Sequence, residues 1–417
     1  MRLFSILVCL INIWNPSWSQ QLPRINQVDN PQTYSIDPNS LPPPFATSSA
    51  RRGSLQIPQP HDATLNVPKG FTVNIFSSGE FPNDYQKPRQ MALTPNGDIF
   101  LTDMEAGDVF VLRDNNNDGV ADERFTFATG LTEPFGLTFS DGFLYVADVH
   151  SVVRYPYRSG QTKARSAAEK IADLTDDRGH STRDIKFSLD GSKFFVAVGS
   201  TGNVNIERDP LRAAITSFNP DGSNRQTYAT GLRNPVSLAV NPVNGVLWTC
   251  VNERDETGDD LVPDYATSVQ EGGFYGWPYS YIGQNPDPRV PQIRPDLVSR
   301  AIVPDVLFTS HSAPLGITFY TGTQFPKEYH GDAFVTLHGS WNRHKMTGFK
   351  VVRIKFQNGK VIRNEYEDFL TGWLRSADDN TVWGRPVGVV VAADGSLLVS
   401  DDGAKKIWRI SYCGNNC

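Results

Sequence analysis

Residues 231–281 read GLRNPVSLAVNPVNGVLWTCVNERDETGDDLVPDYATSVQEGGFYGWPYSY. An Arg-Asn-Pro turn, Arg233 to Pro235, leads into an apolar run. Asn244-Gly245 reverses the chain into a second run, and a carboxylate-rich loop follows from Asn252 to Asp260. Asn-Gly between two apolar runs is a hairpin signal, because turn residues there adopt positive φ. The stretch is therefore read as one blade of a β-propeller.

The unit recurs along the chain as PRQMALTPNGDIFLTD from Pro88, PFGLTFSDGFLYVAD from Pro134, TRDIKFSLDGSKFFVAVGS from Thr182 and RPVGVVVAADGSLLVSDD from Arg385. A split copy joins LGITFYTG, from Leu315, to DAFVTLHGSWNR. With Asn234 onward that makes six copies, the first four spaced by about 45 to 50 residues. Asn96-Gly97, Asp141-Gly142, Asp190-Gly191 and Asp394-Gly395 mark the same reversal. The fold class is all-β, a six-bladed β-propeller.

A chain of 417 residues with 39% hydrophobic content can bury a large core, and a net charge of −6 without a basic stripe excludes nucleic acid as a partner. Met1 and Arg2 precede the apolar run LFSILVCLINI, then Asn15-Pro16 and small residues, the pattern of a secretory signal peptide over residues 1–19. Residues 20–66, rich in Pro, Gln, Asn and Ser, are a leader that is mobile or draped on the surface. Residues 67–417 form the propeller. No second long apolar run is present, so the expected product is secreted, without a membrane span. Cys9 leaves with the signal; Cys413 and Cys417 could bridge, leaving Cys250 free in a strand.

Hairpin geometry sorts the polar residues. With every first turn on one face of the disc, residues just before first strands and just after second strands share the other face. Arg89, Arg233, Arg343 and Arg385 meet there from four blades. Such a ring suits a small polyanion, or the arginines pair with neighbouring aspartates. His180 precedes the third first strand, where it could act as a general base or be structural. Glu253, Arg254 and Asp255, with Asp259 and Asp260, offer hard oxygens for Ca²⁺ or form a solvated acidic loop. Asp114, Asn116, Asp118 and Asp122 match the first nine positions of a calcium loop, with Phe125 where its final Glu would stand. This is a structural calcium site or a polar hairpin loop.

HSTRDIKFSLDGSKFFVAVGS, GLRNPVSLAV with LWTCVNERDETGDDLVPDY and GGFYGWPY, HSAPLGITFY with HGSWNR, and VWGRPVGVVVAADGSLLVSDD together resemble the sorbosone dehydrogenase-like, soluble pyrroloquinoline quinone (PQQ)-dependent sugar dehydrogenases, and among them the fungal pyranose dehydrogenases. The resemblance spans roughly residues 70–412. It implies PQQ and Ca²⁺ as cofactors, with His180 as general base and Arg233 and Asn234 on the quinone. Arg385, Arg89 and Arg343 would meet the cofactor carboxylates, and Trp341 would stack on the ring. Glu253 to Asp255 would ligate Ca²⁺ mainly through main-chain oxygens. A lysine that bacterial relatives carry in the fifth blade has no clear counterpart, leaving Lys345, Arg343 or neither as its substitute. With no sequence assigned to a haem domain or carbohydrate-binding module, the electron acceptor is expected to be external, and the protein a monomer. The rival readings are a secreted binding module and a calcium-dependent lactonase without PQQ.

Overall fold

The computed structural model describes residues 22–79, 85–176, 178–291 and 294–414. The expected signal peptide, residues 1–19, lies outside the described residues.

Six antiparallel sheets stand around an axis. Their inner strands are Pro88–Leu93, Gly136–Ser140, Arg183–Phe187, Pro235–Val240, Pro314–Phe319 and Pro386–Val391; each packs against the next and the last meets the first. The repeats thus become blades one to six. Second strands Ile99–Asp103, Phe194–Val198, Leu247–Val251, Ala333–Leu337 and Leu397–Asp401 are buried at every residue. A strand covered on both faces by neighbouring blades favours apolar residues, so these segments read as mainly apolar runs, with Asp103 and Asp401 closing two of them at the loop side. Cys250 lies in one of them, buried and free. Cys413 is disulfide-bonded; its expected partner, Cys417, lies outside the described residues.

The turns differ in detail from the sequence reading. Only Asp141-Gly142 has both residues at positive φ, 46° and 77°. In the longer turns the glycine alone is left-handed, and the acidic residue works through its side chain. Asp190 accepts the Ser192 N–H at 3.0 Å and Asp394 the Ser396 N–H at 3.0 Å. These are Asx turns, which favour the same residues for a different reason.

The sixth blade is completed from the other end of the chain. Phe71–Ser78 pairs antiparallel with Lys406–Tyr412, joining N-terminal and C-terminal segments in one sheet. Phe71 is buried among Phe325, Phe369 and Tyr412, with ring centroids 4.8, 5.1 and 5.1 Å away. On the axis, Phe135, Val236, Leu315 and Val387 from four blades form an apolar plug. It separates the mouth on the loop side from the channel on the hairpin side.

The leader is built onto the propeller. Arg24–Val28 runs parallel to Thr64–Pro68, and Thr33–Ser35 adds a strand to the outer edge of the fifth blade. Leu65 and Val67 are fully buried in the largest apolar cluster, so a boundary at residue 66 falls inside a strand. No helix among the described residues is long and apolar enough to cross a membrane.

Phe71→Ala removes the centre of the closing cluster and is expected to cost about 3–5 kcal/mol, read as a lower urea midpoint. A loss under about 1 kcal/mol would contradict its role in closure.

Candidate functional site

The loop-side mouth carries the predicted residues in two groups on opposite sides of the ring. On the third and fourth blades, His180 is held by its own ring. Nδ1 lies 2.8 Å from the Ser200 carbonyl, an acceptor, so Nδ1 carries the proton and Nε2 the lone pair. Among the described residues Nε2 has no hydrogen-bond partner. Burial, and then the Arg233 charge, push the imidazole down to about 4. It is therefore neutral, with its lone pair available, throughout the ordinary pH range.

Asn234 lies beside it. A Cβ placed on Gly199 would come 2.2 Å from Asn234 Oδ1 and 2.7 Å from His180 Cβ, so glycine is needed where the two side chains close over the strand end. Two buried arginines support the base loop from beneath. Arg183 and Arg212 donate to the His180 carbonyl at 2.6 and 3.4 Å, and Arg212 also pairs with Asp176 at 2.9 Å.

Arg233 is engaged mainly by the protein. It donates to the carbonyls of Asn203, Asn252 and Glu253 at 3.2, 3.2 and 2.7 Å and pairs with Asp255 at 3.2 Å. The turn it grips is built on a fully buried network. The Arg254 guanidinium bonds Glu253 at 2.9 Å and Asp287 at 3.0 Å, while Asp264 accepts the Glu253 N–H at 2.7 Å. Burial pushes the Asp264 carboxyl up to about 7. The Glu253 and Arg254 side chains thus serve each other. What the turn offers a cation is main-chain oxygen, and the Arg254 carbonyl accepts no hydrogen bond among the described residues.

On the first, fifth and sixth blades, Arg89 and Arg385 are linked through a shared carboxylate. Arg89 pairs with Asp402 at 2.9 Å, and His338 Nε2 lies 2.8 Å from the same group. Arg385 Nη2 lies 3.0 Å from His338 Nδ1. A guanidinium can only donate, so Nδ1 accepts and Nε2–H donates to Asp402. Burial, and then Arg385, hold this imidazole down to about 4 and hence neutral. Two cations share one anion here. Among the described residues, Arg89 Nη2 and Arg385 Nη1 have no hydrogen-bond partner.

Arg343 and Trp341 lie elsewhere, on the rim. Arg343 is tied to Asp260 at 2.8 Å and to the Asp259 carbonyl, and Trp341 is 43% exposed. Lys345 is exposed and faces Asp378 at 3.6 Å. The loop of Asp114, Asn116, Asp118 and Asp122 turns its oxygens on itself. Asp114 accepts the Gly119 N–H at 2.8 Å, Asp118 the Val120 N–H at 2.8 Å and Asp122 the Asn115 N–H at 2.7 Å. No group of three or more His, Cys, Asp or Glu side chains placed to hold a metal ion occurs among the described residues. The loop instead pins the closing strand, through Gly119 to Asn74 at 2.9 Å and Ala121 to Phe76 at 2.7 Å.

His338 and Asp402 fall on the functional face by the hairpin rule, although no role was read for them. Asn203 and Asn342 also follow second strands on that face, Asn342 within HGSWNR, again with no role of their own; Arg212 sits in a loop without periodicity or motif.

Fold and site together define a six-bladed propeller whose axial mouth combines a free imidazole base with cations from opposite blades. The TrAA12-like family profile matches residues 66–279 and 298–412, and the chain belongs to that family. An uncharacterised protein of Borreliella burgdorferi is 30% identical over 84% of this chain and 91% of its own length. A PQQ-dependent sugar dehydrogenase of Hypocrea jecorina is 23% identical over 69% of this chain and 75% of its own length. The calcium structure of the Trichoderma reesei carbohydrate-active enzyme of family AA12 aligns with a TM-score of 0.74, at 21% identity over 86% of this chain and 99% of that one. The holo PQQ domain of Coprinopsis cinerea pyranose dehydrogenase aligns with a TM-score of 0.68, at 21% identity over 85% and 98%. Both share the six-bladed fold.

In ¹⁵N-histidine spectra His180 is expected to titrate near pH 4. Arg233→Met should raise that midpoint, since removing a neighbouring cation favours imidazolium. A parental midpoint near 6.5 would contradict the buried setting.

Proposed function

We propose that this chain is a secreted quinoprotein that oxidises a sugar, a pyranose or related aldose or sorbosone-like compound, at C1, using PQQ with Ca²⁺. Membership of the TrAA12-like family supports the reading, as do relatives named as PQQ-dependent sugar dehydrogenases. The observation that carries it is the pairing of an anchored, neutral His180 with unpartnered arginine donors across the same mouth.

The residues fit the cofactor. PQQ has three carboxylates, and Arg89 and Arg385 retain N–H groups beyond those given to Asp402 and His338. Charge-assisted bonds of this kind are among the stronger ones available to a protein. Arg233 and Asn234 would meet the quinone edge beside the base. The Arg254 carbonyl, which accepts no hydrogen bond among the described residues, would be the turn's main-chain ligand to Ca²⁺, a hard cation that takes oxygen ligands. When bound, PQQ supplies the hydride-accepting quinone and Ca²⁺ polarises it.

The chain's own part in the reaction is positional and acid–base. His180 Nε2 takes the proton of the C1 hydroxyl as the C1 hydrogen leaves as hydride. The Nδ1–H bond to Ser200 fixes the tautomer that makes this possible and steadies the ring as it becomes cationic. Arg183 and Arg212 keep the base loop at its height. The buried plug of Phe135, Val236, Leu315 and Val387 closes the floor against water from the channel. Reoxidation falls to an external acceptor, a separate protein or small molecule, and the working unit is a monomer.

The test is a sugar panel with an artificial electron acceptor on protein loaded with PQQ and Ca²⁺. Dye reduction by a sugar is expected. His180→Ala should lower kcat by roughly 10²–10⁴-fold, the usual worth of a positioned base, with PQQ affinity within threefold of the parent. Equal turnover in that variant would remove the base assignment.

A further inference from the structure

Residues 43–57 cross the functional face and tie three blades together. Phe45 N–H donates to the Thr257 carbonyl at 2.8 Å, and Asp259 N–H donates to Thr47 Oγ1 at 2.8 Å, both on the fourth blade. On the fifth, Arg52 N–H reaches the Trp341 carbonyl at 2.7 Å, and its guanidinium reaches the His344 carbonyl at 2.8 Å. Leu55–Gln56 then pairs in parallel with Thr381–Val382, which leads into the sixth. The crossing is close. Gly258 has φ +120°, and a Cβ there would come 3.1 Å from Thr47 Oγ1 and 3.2 Å from the Thr47 carbonyl.

Asn342, fully buried, joins this segment to the site. Its Nδ2 donates to the Ala50 carbonyl at 2.6 Å, while its Oδ1 accepts the Glu256 N–H at 2.7 Å. The next residue back, Asp255, pairs with Arg233 at 3.2 Å and faces His311 at 3.4 Å. A chain of part-buried polar contacts and backbone thus runs from the leader through Asn342 to Arg233. The family profile begins at residue 66, so the crossing segment lies outside the matched residues.

We propose that residues 43–57 form a strap belonging to the site, with Asn342 as the positioning residue through which it fixes the Asp255–Asp259 turn against Arg233. The strap covers the side of blades four to six. The approach over blades one to three, where His180 stands, is therefore the entry for substrate. Fixing a turn whose oxygens and carboxylate face the ligand lowers the ordering cost of binding, which is the effect of preorganisation.

The cofactor part of this inference rests on the functional reading above, so the test has two arms. Asn342→Asp keeps the acceptor for Glu256 N–H and loses the donor to Ala50. Thr47→Val removes the acceptor for Asp259 N–H, and Thr47→Ser retains it. The first arm is amide hydrogen exchange in the apoprotein. Exchange at Asp259 is expected to rise at least tenfold in both Asn342→Asp and Thr47→Val, with Thr47→Ser at parental values. The second arm is PQQ affinity in Ca²⁺, expected to weaken at least fivefold in the same two variants and to be retained in Thr47→Ser. Parental exchange in both variants overturns the strap. Fast exchange with parental PQQ affinity also overturns it, leaving the segment as a fold element. If the parent itself binds no PQQ, the functional reading fails, and the exchange arm alone decides whether the strap fixes the turn.

Discussion

Pairing of Phe71–Ser78 with Lys406–Tyr412 converts an array of β-sheets into a ring, and the site exists only because the ring is closed. His180 and Arg233 stand on the third and fourth blades, Arg385 and Arg89 on the sixth and first. Those positions face each other only when the sixth blade is complete. The Phe71 cluster and the loop 114–122 both bear on this seam, one from the core and one from the hairpin side. A fold that gathers residues from distant stretches to one axis must hold its two ends together.

Buried charge is the second constraint, and it is balanced unevenly. A buried guanidinium needs a partner because its desolvation costs several kcal/mol. Arg233 receives one in Asp255 and three carbonyls, and Arg212 receives one in Asp176, while Arg183 is held by carbonyls and the Thr175 hydroxyl. Asp402 serves Arg89 directly and Arg385 through a neutral His338, so two guanidiniums lean on one carboxylate and keep N–H groups to spare. A base that must stay unprotonated sits on one side, and an anionic group finds its charge partners on the other.

The fold was legible because propeller blades repeat one local pattern: an apolar run, a tight reversal and a second run. The turn dipeptides carried that signal even where only the glycine took positive φ and the Asp before it made an Asx turn. Much of the site was legible through hairpin geometry, which assigns residues to a face before any contact is known. Three features were hidden for physical reasons. Asp114 to Asp122 reads as a calcium loop because Asx turns and calcium loops draw on the same Asp, Asn and Gly positions. Arg343 reads as part of a cation ring, although it is tied to Asp259 and Asp260 at the rim. The strap makes its contacts largely through main-chain groups, which leave no residue code, and Asn342, although it follows a second strand within HGSWNR, has nothing in its sequence context to name its partners.

Equilibrium titration of EDTA-treated apoprotein with PQQ, with and without Ca²⁺, tests the central claim most directly. The account predicts saturable binding of one PQQ per chain that depends on Ca²⁺ and is lost in Arg385→Ala. Absence of binding under both conditions would contradict it and leave the arginines of the mouth as ties between blades.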